Sequence, residues 1–320
     1  MTRISPMALH LVDPQLHSLV EEFEALKSVP IEPDALRKVI EAQASTAPPM
    51  LRPNVIEQKL CMPGPSGPVE LLVFSAKGAP SLAPGILFIH GGGYIAGSPE
   101  SSKAQAIEIA AELKGVVVCA RYRLAPECPA PGPLEDCYAA LKWLWESSDV
   151  LGIDQNRVGV WGVSAGGGLA AALCLLARDR GEIPLAAQLL NYPMLDDRTV
   201  ERRLPDHFGA FVWTRAWNKC GWEAYLGHEA GLDDVSHYAS PARAEDLSSL
   251  PPTMMATASL DLFLDENMTY AHRLLKTGIP TEVHVAQGAF HAFETAAETD
   301  IVKQSMRKRY DWMRRVLKIV

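Results

Sequence analysis

The chain has 320 residues, nearly half of them apolar and about a fifth charged, with 23 Gly and 24 Pro. That composition excludes collagen, low-complexity disorder and coiled coil, and a chain of this length buries a sizeable core without disulfide staples. Thirty Lys plus Arg against 38 Asp plus Glu leave a formal charge of −8, which repels phosphate backbones and anionic lipid and argues against nucleic acid or membrane as partner.

From Asp13 to Ala47, apolar Leu16, Leu19, Val20, Phe23, Leu26, Leu36, Val39 and Ile40 recur at spacings of three and four. This predicts an arm of amphipathic helices, split by Pro30 and Pro33. Met1–Val20 carries no basic-then-apolar signal pattern, so export is not expected. After the Pro48-Pro49 break, Val55–Leu60 and Val69–Phe74 read as a hairpin around the turn cluster Pro63-Gly64-Pro65-Ser66-Gly67.

The rhythm then changes to solid apolar runs at Gly85–His90, Val116–Ala120, Val158–Trp161, Ala186–Tyr192, Met254–Ala258 and Thr281–Ala286, with helical stretches between most of them. Strands apolar on both faces and joined by helices predict a mostly parallel α/β sheet covered on both sides. Asp196–Val235, rich in Trp, Phe, His and charge, holds no strand signal and reads as an inserted cap. In the last helix, Asp300–Ile319, the side chains Lys303, Arg307, Lys308, Arg309, Arg314 and Arg315 are expected on an exposed basic face that complements the helix dipole. The six cysteines (Cys61, Cys119, Cys128, Cys137, Cys174, Cys220) form no C-x-x-C pair, which points to reduced thiols of a cytoplasmic protein.

Val158–Ala177 is 20 residues without a charge, the length of a membrane span. Its interior reads otherwise. Arg157–Trp161 is a strand that runs into Gly162-Val163-Ser164-Ala165-Gly166, and a small-residue helix follows. G-x-S-x-G between strand and helix is the pattern of a nucleophile elbow, in which flanking glycines make room for a strained serine at the helix N-terminus. Upstream, the strand Gly85–His90 leads into Gly91-Gly92-Gly93-Tyr94. The N–H groups of Gly91 and Gly92, with that of Ala165, are placed to receive a developing oxyanion.

A serine nucleophile in this architecture needs an acid and then a histidine, each in a loop after a strand. Met254–Ala258 is followed by Asp261, nearest the strand end and therefore the expected acid, while Asp265 and Glu266 serve to start or brace the next helix. Thr281–Ala286 is followed by His291, the expected base; His90, His237 and His284 read as structural. Tyr94 and Tyr192 at strand ends, with Phe208, Phe211, Trp213 and Trp217 of the cap, are candidates to wall an apolar substrate pocket. No H-E-x-x-H, phosphate-loop or dinucleotide pattern is present, so neither metal nor organic cofactor is expected.

Taken jointly, His90–Tyr94, Tyr122-Arg123-Leu124-Ala125-Pro126-Glu127, Gly162–Gly167, Asp261–Glu266 and His291 resemble, in order and spacing, the bacterial hormone-sensitive-lipase-like family. Leu151–Asp154 and Ala165–Ala172 look similar to its heroin-esterase branch. The resemblance spans Val55 to the C-terminus. It implies an α/β-hydrolase fold of about eight strands over residues 1–320, with a helical cap drawn from 1–47 and 196–235. Tyr122–Glu127 would brace the oxyanion loop. A homodimer paired across the last strand is implied as well.

One departure is plain, for the family commonly has Asp or Thr where this chain has Val163, and a supporting hydrogen bond is then expected to be absent. Leu262 also stands where Pro is common, a change that bears on turn stiffness alone. The expected function is a serine carboxylesterase for short-chain esters. Amide or lactone hydrolysis on the same residues, and a catalytically silent binding protein, are the alternatives.

Overall fold

The apolar runs assemble into one eight-stranded sheet, made of Val55–Gly64 (β1), Gly67–Ala76 (β2), Ala83–Ile89 (β3), Val116–Ala120 (β4), Ile153–Val163 (β5), Ala187–Asn191 (β6), Thr253–Ala258 (β7) and Thr281–Ala286 (β8). Its order is β1-β2-β4-β3-β5-β6-β7-β8. The computed structural model describes residues 6–46 and 52–319; Met1–Ser5, Val320 and Ala47–Leu51, with the expected Pro48-Pro49 break, lie outside the described residues. β1 and β2 form the hairpin, and β2 pairs antiparallel with β4. Every other pairing, from β4–β3 through β7–β8, is parallel.

Strand periodicity of two assigns the layers. Leu87 and Ile89 of β3, with Val118 and Ala120 of β4, face one side, and Ile86, Phe88, Val117 and Cys119 face the other. The first side is covered by Gly132–Glu146 (α5), Ala165–Arg180 (α7) and Leu264–Lys276 (α9), the second by Lys103–Leu113 (α4) and Asp300–Val316 (α10). Ser148–Leu151 (α6) is a single turn between α5 and β5. The sheet interior is solid: Leu87, Val118, Val160 and Leu190 have no exposed surface, so truncating one to alanine costs about 2–5 kcal/mol through lost burial and a residual cavity.

The uncharged stretch Val158–Ala177 resolves into the end of β5 and most of α7, and among the described residues no helix is long and apolar enough to cross a membrane. The N-terminal arm consists of Pro6–Leu9 (α1), His17–Glu24 (α2) and Pro33–Thr46 (α3) with short 3-10 turns between. Its Ala8, Val12, Leu16, Leu19 and Val20 join Tyr192, Phe211, Phe290 and Phe293 in a third apolar cluster over the C-terminal ends of the strands. The inserted segment contributes a 3-10 turn, Asp197–Val200, and Arg215–Leu226 (α8), and no strand among its described residues.

One expectation fails on the last helix. Arg309 is not on the exposed basic face but has no solvent-accessible surface, because it turns inward to pair with Glu294. Its neighbours behave as surface charges: Lys303 pairs with Glu298, Arg314 with Glu112 and Arg315 with Glu282.

Candidate active site

β5 ends at Val163 and α7 begins at Ala165, leaving Ser164 alone between them at φ 57°, ψ −122°. The flanking glycines explain how the chain tolerates that corner. A Cβ on Gly162 would lie 2.1 Å from the Gly166 carbonyl oxygen, and one on Gly166 would lie 2.2 Å from the Ile89 oxygen and 2.3 Å from that of His90. These neighbours are backbone atoms of the sheet and elbow, so neither glycine can carry a side chain without parting the two. The Ser164 N–H donates to Asn191 O at 2.9 Å, which ties the elbow to the end of β6.

The expected acid and base meet the serine. Ser164 Oγ lies 2.8 Å from His291 Nε2, and His291 Nδ1 lies 2.8 Å from Asp261 Oδ2. Asp261 Oδ1 accepts the Phe263 N–H at 2.9 Å, which fixes the rotation of the carboxylate. All three side chains are buried. Asp265 is exposed in the first turn of α9, and Glu266 is buried but turned away, its carboxylate accepting the N–H groups of Leu195 and Asp196.

The glycine run lies against the elbow, since a Cβ on Gly91 would sit 3.1 Å from Ser164 Cβ. Among the described residues no acceptor takes the N–H of Gly91, Gly92 or Ala165. Three unpartnered donors beside a serine hydroxyl are a ready receptor for negative charge. The loop is held from behind. Tyr122 donates its hydroxyl to His90 O at 2.9 Å and stacks on the His90 ring with centroids 4.2 Å apart. Burial pushes the His90 imidazole down to about 4, so it is neutral near pH 7, and its Nδ1 donates to Gly91 O at 2.8 Å.

Residues 86–295 match the family model of the alpha/beta hydrolase fold. The chain belongs to the hormone-sensitive-lipase-like family of α/β-hydrolases. It is similar to Esterase LipI of Mycobacterium tuberculosis, 32% identical over 246 residues that cover 76% of each chain. An Arylesterase of Saccharolobus solfataricus is 34% identical over 65% of this chain and 67% of its own. Among solved structures, a Bacterial Heroin Esterase superposes with a TM-score of 0.87 at 35% identity, covering 97% of this chain and 99% of that one.

In this α/β-hydrolase the candidate pocket residues divide. Trp213 stands over the glycine run, so close that a Cβ on Gly93 would lie 2.0 Å from its ring, and its ring centroid is 6.3 Å from that of His291. Trp213 also stacks on Trp217, and Phe211 meets Phe290 at 5.0 Å. Phe208 is buried with its ring edge-on to His207. Beyond Phe211 and Trp217, a cavity of about 280 Å³ opens between the inserted segment and the arm, lined also by Val20, Phe23, Leu26 and Ala210. Tyr94 does not join that wall. Its φ of 67° turns the ring inward onto Tyr225, at 4.0 Å, and its hydroxyl donates to Met194 O. Tyr192 is buried too, but its ring packs 4.5 Å from the His291 imidazole.

Val163, where the resemblance leads one to expect a polar residue, packs against two apolar clusters. Two polar residues near the site escaped the reading of the sequence. Arg37 of α3 donates to Ile95 O (2.7 Å), to Ala125 O (2.8 Å) and to both oxygens of Glu127 (2.8 and 2.6 Å), clamping the arm onto the loops behind the glycine run. Glu294, three residues after His291, collects donors from the end of β6 and from α10; its place in the histidine loop was the available signal. Nothing in the sequence announces a pairing between Arg37 and residues 58–90 positions away.

Proposed function

We propose that this protein is a serine carboxylesterase that hydrolyses short-chain acyl esters through an acyl-enzyme intermediate. The reading rests on one observation, the continuous hydrogen-bonded line Ser164 Oγ–His291 Nε2 and His291 Nδ1–Asp261 Oδ2, both links 2.8 Å, in an α/β-hydrolase similar to proteins named esterase and arylesterase. Ser164 Oγ attacks the ester carbonyl as His291 Nε2 takes its proton. Asp261 keeps the other ring proton on Nδ1 and stabilises the imidazolium that forms. The N–H groups of Gly91, Gly92 and Ala165 receive the oxyanion, where loss of one donor costs about 3 kcal/mol of transition-state stabilisation. Collapse expels the alcohol, protonated by His291. Water then attacks the acyl-enzyme with His291 again as base, releasing the acid and restoring Ser164.

Residues 1–47 and 196–235 act in this proposal as a cap, and Phe211 and Trp213 form the inner wall of the substrate pocket. Trp213, packed over Gly93 with its ring facing His291, supports small acyl groups. Among the described residues no group of three or more His, Cys, Asp and Glu side chains is arranged for a metal ion. The six free thiols, none in a disulfide, support a reducing, cytoplasmic location. β8 is an edge strand of the sheet, as β1 is, which supports a homodimer paired along it; light scattering at micromolar concentration tests this, and a monomer peak removes that part. The function itself is tested with p-nitrophenyl acetate, butyrate and octanoate beside an isosteric anilide. Ester turnover with an optimum at butyrate or shorter is expected. Preference for the anilide, or for emulsified long-chain triglyceride, would overturn it.

A further inference from the structure

Glu294 is a meeting point. Its Oε1 accepts from Asn191 Nδ2 at 3.2 Å and Arg309 Nη2 at 2.5 Å, and its Oε2 accepts the Tyr192 hydroxyl at 2.5 Å. Two of these donors lead to the candidate active site. Asn191 holds the Ser164 N–H on its carbonyl, and the Tyr192 N–H donates to Ala256 O of β7. The Tyr192 ring, on a backbone strained to φ 32°, packs 4.5 Å from the His291 imidazole. Arg309 arrives from α10 with no exposed surface; Met306 Sδ lies 3.0 Å from its Nη1, the Phe293 ring faces it at 5.9 Å, and among the described residues its Nε has no hydrogen-bond partner. A fully buried guanidinium with a single carboxylate is a charge the fold accepts for a reason other than stability.

We propose that Glu294 is a positioning residue for the proton transfer between Ser164 and His291, and that Arg309 is its charge-balancing partner. The proposal rests on the serine-esterase reading above. One carboxylate locks the loop bearing His291 to the strand end that fixes Ser164, so the two reacting atoms keep their separation while the acyl group changes. The same carboxylate cancels the Arg309 charge, so that Asp261 alone sets the electrostatic bias on the imidazole.

Among the described residues, the groups that face His291 bring one charge, that of Asp261. Asp261 and Ser164 touch its nitrogens, Tyr192 lies against its ring, and Trp213 and Phe263 add no charge. On the far side of Glu294 stand Lys308 and His284; burial, with Lys308 and Arg309 adding to it, holds the His284 imidazole down at about 4, so it is neutral in the assay range. Burial pushes the Tyr192 phenol up, so it is a neutral donor there as well.

The test follows the inactivation rate of Ser164 by a fluorophosphonate as a function of pH, beside p-nitrophenyl butyrate kinetics. In that probe reaction the Oγ–P bond forms, P–F breaks, and the serine proton passes to His291. Three variants are compared: Arg309→Met, Glu294→Gln/Arg309→Met and Glu294→Leu/Arg309→Met. Arg309→Met leaves a lone carboxylate one ring from the imidazole, which favours the imidazolium and moves the rate midpoint up by about half to one pH unit. Glu294→Gln/Arg309→Met removes both charges and keeps an acceptor, so its midpoint returns to that of the wild type with kcat within about threefold.

Glu294→Leu/Arg309→Met removes the acceptor, and kcat falls by roughly tenfold or more with KM unchanged because the geometry of attack loosens. The two double variants retain no unpaired charge and so keep the comparison when Arg309→Met fails to fold. Equal kcat in those two, or a midpoint in folded Arg309→Met within about 0.2 units of the wild type, would overturn the proposal. A wild-type Ser164 that the fluorophosphonate never labels would instead overturn the esterase reading on which it rests.

Discussion

Replacing Asp261 with asparagine separates orientation of the histidine from simple packing, because Asn has the same shape and no charge. Asp261 makes two contacts, accepting Phe263 N–H at Oδ1 (2.9 Å) and facing His291 Nδ1 with Oδ2 (2.8 Å). If the new amide keeps its oxygen on the Phe263 N–H, its NH2 faces Nδ1 and forces that nitrogen to be unprotonated. The ring proton then sits on Nε2, aimed at Ser164 Oγ, and the imidazole cannot act as base. The flipped amide sets NH2 against the Phe263 N–H and leaves a buried donor unpaired, at a cost of about 1–3 kcal/mol. Either way the imidazolium also loses its counter-charge.

A wrong tautomer at this position lowers kcat by roughly 10³–10⁴, or about 4–5.5 kcal/mol on the barrier. The assay is kcat for p-nitrophenyl butyrate at pH 8, with thermal unfolding of both proteins followed by circular dichroism. Asp261→Asn should unfold within a few degrees of the wild type while losing at least a thousandfold in kcat. A folded variant with less than about tenfold loss would refute the assignment of Asp261 as the orienting acid.

The hydrogen bonds from Arg37 hold the Glu127 carboxyl down at about 2, well below its usual 4.5, so the stability it adds is complete above pH 4.5 and is lost as pH falls toward 2. Glu127 is 63% exposed, and solvent limits the pair to about 1 kcal/mol or less; urea unfolding of the wild type and Glu127→Gln should therefore differ at pH 7 and converge near pH 2, and a gap that widens in acid would contradict the pairing. Ala210→Phe fills the cavity of about 280 Å³ beside Phe211 and Trp217, and is expected to lower the octanoate-to-acetate ratio of kcat/KM by about tenfold, as loss of a methylene or two of apolar contact would. An unchanged ratio would mean that acyl chains do not enter that cavity.

What the sequence made legible, and what it hid, divides by the range of the physics involved. Apolar runs such as Val116–Ala120 and Met254–Ala258 named strands because both faces of a parallel sheet are covered, and the same boundaries appear in the fold nearly unchanged. Ser164, Asp261 and His291 could be picked because each follows a strand in a fixed chain order. Side-chain direction was not legible. Tyr94 carries the look of a pocket residue beside the glycine run, yet a left-handed φ sends it into the interior, and local pattern holds no sign of that turn. Arg309 sits among exposed basic residues on α10, and only the approach of the histidine loop, 15 positions upstream, gives it a carboxylate partner. The Arg37 clamp joins segments that are distant in the chain and adjacent solely through the docking of the arm.

The claim that everything else depends on is that Ser164 is the nucleophile. Wild-type protein and Ser164→Ala are assayed side by side for p-nitrophenyl acetate and butyrate hydrolysis, with intact mass after fluorophosphonate treatment as a second reading. The account predicts turnover and one phosphonyl adduct in the wild type, and neither in a Ser164→Ala protein of unchanged thermal stability. Hydrolysis that survives in the folded variant above the rate of uncatalysed solution would contradict it.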